Sequence, residues 1–434
     1  MRRMRIAVVG AGISGLAAAW LLAGAHDVTL YEAAPRPGGH SLTIDVPIQG
    51  GAVPVDMGFI VYNPPAYPNL VALFDHLGVR SVASDMSFAV SLDGGALEYA
   101  GTDLAGLFGQ TRNLIRPRFW SMLRDIARFY REAEADARTL DPEVPLGAWL
   151  ARRGYGAAFV RDHLLPMAAA IWSAPAARIA DYPALAFIRF CANHGLLKLR
   201  DRPQWRTVAG GSREYVRRLA APLGPRLRLG CAVRAIRRLP EGVAIEADGA
   251  GRETCDQVVI ATHAPQALAL LADPSPAEAA LLGAIGTSRN LAVMHRDTAL
   301  MPRRRAVWSS WNYLGGGAPC VTYWMNRLQP LAGVGDVFVT LNPARPPAPE
   351  TVIRREEFAH PLFDAAALRA QRDLWALQGQ RRSWFCGAWF GAGFHEDGLQ
   401  AGLAVAEALG GVRRPWRVAG ESARLPSPPG AIAA

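Results

Sequence analysis

The feature that most constrains this chain is its first strand, turn and helix. The short run Arg5-Ile6-Ala7-Val8-Val9 leads directly into Gly10-Ala11-Gly12-Ile13-Ser14-Gly15, a G-x-G-x-x-G sequence. An alanine-rich stretch to Leu22 follows, and Asp27-Val28-Thr29-Leu30-Tyr31-Glu32 reads as a second strand ending in an acid. Each part has a physical task in a dinucleotide site. Gly10 permits the tight turn, Gly12 lets backbone approach a pyrophosphate, and Gly15 lets helix and strand pack closely. The helix N-terminus offers free N–H groups and a positive dipole end to phosphate. An acid about 20 residues beyond the glycines can hydrogen-bond a ribose diol. Glycines alone would say little, but with the strand, the helix and Glu32 in place they predict an α/β dinucleotide-binding domain.

The same stretch imitates a secretory signal, with basic Met1-Arg2-Arg3-Met4-Arg5, an apolar middle and small residues Ala23-Gly24-Ala25. Cleavage there would leave Glu32 with no phosphate loop to serve, so the segment is expected to be retained. At 434 residues the chain exceeds one ordinary core, which predicts two domains. Half the residues are apolar and 19% are charged, as in a folded enzyme. No run reaches the roughly 18 apolar residues of a membrane span. The net charge of +10 is carried almost wholly by arginine, since Lys198 is the only lysine. Such a surface suits anionic lipid or acidic ligands; no nucleic-acid motif accompanies it, and no nucleic-acid partner is expected. The cysteines (Cys191, Cys231, Cys255, Cys320, Cys386) are scattered and odd in number. They form neither a disulfide framework nor a zinc pattern, so no metal site and a reducing cytoplasm are expected.

Further along, Ala33 to His40 is a turn-rich loop, and Val53 to Asn63 offers a strand and a second glycine turn through Asp56-Met57-Gly58. Residues 102–200 read as mainly helical. Within them, Phe119, Met122, Leu123, Ile126 and Phe129 follow helical spacing, with Arg118, Arg124, Arg128 and Arg131 alongside. That pattern fits either a core-facing helix with a solvated arginine edge or a membrane-surface helix spanning 112–131. Pro166–Ser173 and Phe190–Leu197 are expected to line a cavity, His194 being structural or catalytic. Cys231–Ile236, Gly242–Ala247, Gln257–Ala261 and Thr287–His295 read as strands. Trp308–Tyr313 and Val321–Asn326 are aromatic strands, forming sheet core or pocket wall. Trp384–Ala404 reads as a strand, a loop and an alanine-rich helix. His395-Glu396 lacks the second histidine of a zinc motif.

The combination of G-x-G-x-x-G, Glu32, Gly38-Gly39-His40 and Asp56-x-Gly58 resembles the flavin-containing amine oxidoreductase superfamily, which includes monoamine oxidases, phytoene desaturases and protoporphyrinogen oxidases. The resemblance covers the whole chain. It implies a Rossmann-like FAD-binding domain of amine-oxidase type, assembled from residues 1–75, 205–270 and 379–420. An interleaved α+β substrate domain would come from 76–204 and 271–378, with 421–434 a loose, proline-rich tail. It also implies non-covalent FAD. Gly10, Gly12, Ser14 and Gly15 would hold the ADP half with Glu32, and Val233 would lean on the adenine. Gly38, Gly39, His40, Asp56 and Gly58 would lie along the flavin, and Gly387 near the ribityl-pyrophosphate. Glu396, Asp397 and Gly398 would open the last helix at the flavin's pyrimidine edge, where the helix dipole favours negative charge.

Two departures separate the chain from ordinary amine oxidases of that superfamily. Their flavin-facing lysine has no counterpart in Thr287–His295, and their cage tyrosine is replaced in Phe394-His395-Glu396-Asp397. Gly38-Gly39-His40-Ser41, Ile171-Trp172-Ser173, Asn193-His194-Gly195, Trp308–Tyr313 and Gly393–Gly398 resemble a narrower bacterial branch. Its members are encoded beside cyclopropane-fatty-acyl-phospholipid synthase-like methyltransferases and are tied to furan fatty acid formation. This implies an FAD-dependent dehydrogenase or desaturase of phospholipid-bound, methyl- or methylene-branched acyl chains, with contact to the inner membrane face and an acyl methyltransferase as partner. The alternatives are an amine or small-molecule oxidase and a non-catalytic flavoprotein partner of such a methyltransferase. Candidate bases are His395, Glu396, His40 and His295, histidine being favoured because its usual pKa lies near working pH.

Overall fold

The computed structural model describes residues 2–172, 176–198, 200–315 and 320–426. Ser173 of the expected cavity segment and residues 427–434 of the expected tail lie outside them. Arg5–Val9 forms the middle strand of a five-stranded sheet, in the order Leu227–Arg228, Asp27–Tyr31, Arg5–Val9, Gln257–Ile260, Ser383–Phe385. Every pair is parallel. A parallel sheet is covered on both faces, which is why Ile6, Ala7, Val8 and Val9 form one apolar run and are all buried.

The first helix, Ile13–Leu22, packs against the last, His395–Gly410. Glycine makes that approach possible. A Cβ on Gly402 would collide with the Ser14 carbonyl oxygen, and one on Gly15 with the Gly10 carbonyl oxygen. The predicted strands at 231–236 and 242–247 appear as Val233–Leu239 and Gly242–Ala247, paired antiparallel.

A seven-stranded sheet forms the second layer, in the order Val352–Pro361, Thr287–His295, Phe338–Leu341, Cys320–Trp324, Trp311–Leu314, Phe88–Leu92, Leu97–Ala100. It is antiparallel except where Trp311–Leu314 runs parallel to Phe88–Leu92. Helices fill the span between Leu104 and Asn193. The longest, Pro117–Asp136, buries Phe119, Met122 and Phe129, so its apolar stripe faces the core. The start of the segment expected to be loose is instead anchored. Asn69 Nδ2 and an Arg414 guanidinium N–H donate to the Glu421 carbonyl, Arg424 pairs with Asp397, and Leu425 is buried. Among the described residues no helix is long and apolar enough to cross a membrane.

Candidate active site

A cavity of about 710 Å³ lies between the two sheets. Its wall takes residues from just beyond four parallel strands: Gly10, Glu32, Ala261 to His263, and Gly387 with Ala388. Ligands of open parallel sheets bind at such carboxyl ends. Gly12 also lines it, and a Cβ there would meet nothing within 4 Å, so backbone faces open space. The Ala11 and Ala34 N–H groups donate to the Glu32 carboxylate at 2.7 and 2.8 Å, fixing the acid beside the glycine turn. Gly39 has a φ of +56°, and its Cβ would sit 3.1 Å from Gly12 Cα, so the second glycine loop seats on the first. A Cβ on Gly58 would strike the His40 carbonyl oxygen.

Of the residues predicted to hold the cofactor, Gly10, Gly12, Ser14, Glu32, Gly38, Gly39, His40, Gly58, Val233 and Gly387 line this cavity. Five do not. Gly15 and Gly398 serve packing, a Cβ on the latter falling 2.8 Å from Ser14 Oγ. Asp56 is fully buried and accepts from Thr43 Oγ1, Ser212 N and Oγ, and Gln329 Nε2, tying the start of helix Arg213–Ala220 to the fold. Asp397 accepts from Phe394 N at 2.8 Å and pairs with Arg424. Glu396 accepts from Asn69 N and Nδ2, Leu70 N and Gln400 Nε2, each near 3.0 Å. Acidic residues after a loop look functional in sequence, but here each satisfies buried amide groups.

Glu396 thus leaves the set of candidate bases, and so does His295. His295 is fully buried in the second sheet, its Nε2 bonded to Thr340 Oγ1 at 2.7 Å and its Nδ1 accepting from Asp297 N at 3.1 Å. His40 and His395 line the cavity. The His395 ring stacks on Phe59 at 3.9 Å, and its Nε2 meets Tyr215 OH, which also bonds Ser41. The His40 ring lies 5.0 Å from Phe358, 5.5 Å from His360 and 5.8 Å from His263. Burial pushes His395 down to about 3. Burial, helped by the neighbouring His360 and His263, pushes His40 to about 3 as well. The expectation of a base titrating near neutrality is therefore corrected: these rings are neutral hydrogen-bonding groups.

Sequence reasoning missed His263, His360, Tyr215 and Phe59, because nothing in their local sequence marks them and tertiary folding alone brings them together. Another part of the wall is aromatic. Phe190 packs against Trp172, His194 and Phe394 at 4.7, 4.0 and 4.7 Å, and Trp311 meets Tyr323 at 4.9 Å. Among the described residues Glu32 is the only carboxylate in the wall, and no lysine or cysteine lines it. The chain's one lysine, Lys198, is exposed. His194 Nδ1 donates to the Phe190 carbonyl at 3.0 Å, which leaves Nε2 as an acceptor. That nitrogen and the indole N–H groups of Trp172 and Trp311 are buried and without partners among the described residues.

A glycine turn with its acid, a second glycine loop seated on it and an aromatic chamber beyond make a dinucleotide-type site that opens on an apolar cavity. The family model for flavin containing amine oxidoreductase matches residues 13–295, and the chain belongs to that family. FAD is its cofactor. The chain is 31% identical over 277 residues to AofH of Mycobacterium tuberculosis, a protein named for flavin-containing monoamine oxidase; the match covers 62% of this chain and 59% of that one. Its fold matches putrescine oxidase with a TM-score of 0.69 at 19% identity, over 94% of this chain and 98% of the other. A fatty acid isomerase from P. acnes matches with a TM-score of 0.66 at 16% identity, over 94% and 98%.

Proposed function

We propose that the protein is an FAD-dependent dehydrogenase or desaturase of a long apolar acyl chain. The observation that carries this reading is the substrate end of the cavity, which is walled by aromatic rings and offers neither carboxylate nor lysine among the described residues. An alkylammonium substrate entering it would lose hydration with no counter-charge to replace it, a costly step. A hydrocarbon chain gains by the same transfer. The fold, shared with both putrescine oxidase and a fatty acid isomerase, is compatible with an acyl substrate.

When bound, FAD takes up a hydride from a substrate C–H bond. The glycine turn and helix start would hold its phosphates and Glu32 its ribose, while Gly39 lets the second glycine loop seat on the first and Gly58 lets the chain pass close to the His40 carbonyl. The aromatic wall orients the chain and excludes water. The Trp172 indole N–H donor and the His194 Nε2 acceptor, on side chains that both pack on Phe190, suit one neutral polar group on the substrate, such as an ester, hydroxyl or protonated carboxyl.

A second reading, amine oxidation, is favoured by the similarity to AofH, and aromatic faces alone can attract a cation. The test is anaerobic flavin reduction followed by absorbance. Phospholipids with straight, methyl-branched and methylene-branched acyl chains should bleach the flavin, and mono- and diamines should not. Bleaching by amines alone would overturn the proposal, and failure of both panels would favour a non-catalytic flavoprotein.

A further inference from the structure

Four of the six exposed large hydrophobic side chains among the described residues lie within one short stretch: Leu104, Leu114, Ile115 and Trp120, the first and third being 75% and 80% exposed. They form one patch. Trp120 Nε1 donates to the Leu114 carbonyl at 2.9 Å, and the Trp120 ring lies 5.7 Å from Phe108, one turn along the helix start from Leu104. Residues 104–120 contain three arginines and no acid. Asp103, at the border, accepts from Gly106 N as a helix cap. A second basic run, Arg303-Arg304-Arg305, is brought alongside where Gly109 packs on Val307. Arg112 and Arg303 are exposed, while Arg118, Arg304 and Arg305 pair with Asp162, Glu98 and Asp336.

We infer that this patch docks the protein on the surface of an anionic lipid bilayer. Apolar side chains and a tryptophan ringed by arginine match the two layers such a surface presents, acyl boundary and negative headgroups. A second copy of the chain fits poorly, because a two-fold contact would set these arginines against their own counterparts. The position differs from the one the sequence pattern indicates. The stripe on Pro117–Asp136 is consumed by the core, and the free apolar surface lies on the preceding turn and the outer side of the helix start. Phe119 and Met122, on the inner side, belong to the same apolar cluster as the cavity-lining Tyr323 and Phe358. The docking face is therefore separated from the chamber by one helix.

The test is co-sedimentation of the holoenzyme with vesicles of phosphatidylcholine, alone or mixed with phosphatidylglycerol. Binding should require phosphatidylglycerol and weaken with salt. Combining Leu104→Ser with Ile115→Ser should reduce partitioning about tenfold, and Arg112→Glu about fivefold or more. Flavin content and melting temperature serve as controls for intact folding. Absence of binding by the wild type overturns the inference. So does undiminished binding by the double variant, or a wild-type dimer that the same double substitution dissociates. Vesicle binding without any acyl oxidation would leave this inference standing while the proposed substrate falls.

Discussion

Replacing Glu396 separates an anchor from a base. Its Oε1 accepts from Asn69 N, Asn69 Nδ2 and Gln400 Nε2, and its Oε2 accepts from Leu70 N. Asn69 and Leu70 lie in the first turn of helix Pro68–Leu77, so the carboxylate satisfies amides that a helix start leaves without intrahelical partners. Burial raises its pKa, while the four bonds pull the other way. In Glu396→Gln the amide oxygen can replace Oε1, but its NH₂ then faces Leu70 N–H, donor against donor. One buried N–H left unpaired costs about 1–3 kcal/mol. Glu396→Ala frees all four donors and leaves a void, for about 3–5 kcal/mol. Urea unfolding of the flavin-loaded protein measures the loss, and single-turnover flavin reduction measures chemistry. The Gln variant should keep its reduction rate within about threefold, since a lost general base costs about a hundredfold or more. A Gln variant of unchanged stability with a rate down a hundredfold would refute the anchor assignment.

Gly15→Ala should leave roughly tenfold less flavin on the purified protein, read from the flavin-to-protein absorbance ratio, because the new methyl meets the Gly10 carbonyl oxygen and must displace the turn. For pH, burial lowers His194 from 6.5 to about 3. The unfolded chain then binds the proton more readily, so the stability from this ring is complete above 6.5 and lost as pH falls toward 3. Down to a pH of about 4 the loss is about 3 kcal/mol. Wild type should therefore lose more stability on acidification than His194→Leu in paired urea titrations; the opposite order would overturn the assignment.

The ADP end of the site is legible in the sequence because its parts are contiguous: a turn, a helix start and an acid within one βαβ unit. Gly10, Gly12 and Glu32 line the cavity through local geometry alone. The rest of the cavity is written differently. His40, His263 and His360 come from three distant stretches, and Tyr215 reaches His395 across 180 positions. No local pattern marks such encounters. Glu396, Asp397 and Asp56 show the converse, residues whose chemical type suggests function while their burial assigns them to hold helix starts and loops. On sequence alone the arginine-flanked stripe from Phe119 allows two readings, and only the identity of its neighbours, Tyr99 and the second-sheet residues, decides for the core.

The contact between the first and last helices carries a consequence for biogenesis. During synthesis Arg5–Val9 is made some 250 residues before its partner Gln257–Ile260, and the edge strand Ser383–Phe385 comes later still. Helix His395–Gly410 then seats on Ser14. Topologies so dominated by distant pairings close slowly, and until then the apolar strand of the glycine turn has only its local partner Asp27–Tyr31. Ser14 and the glycine turn beside it therefore reach their final packing only once helix His395–Gly410 has been made.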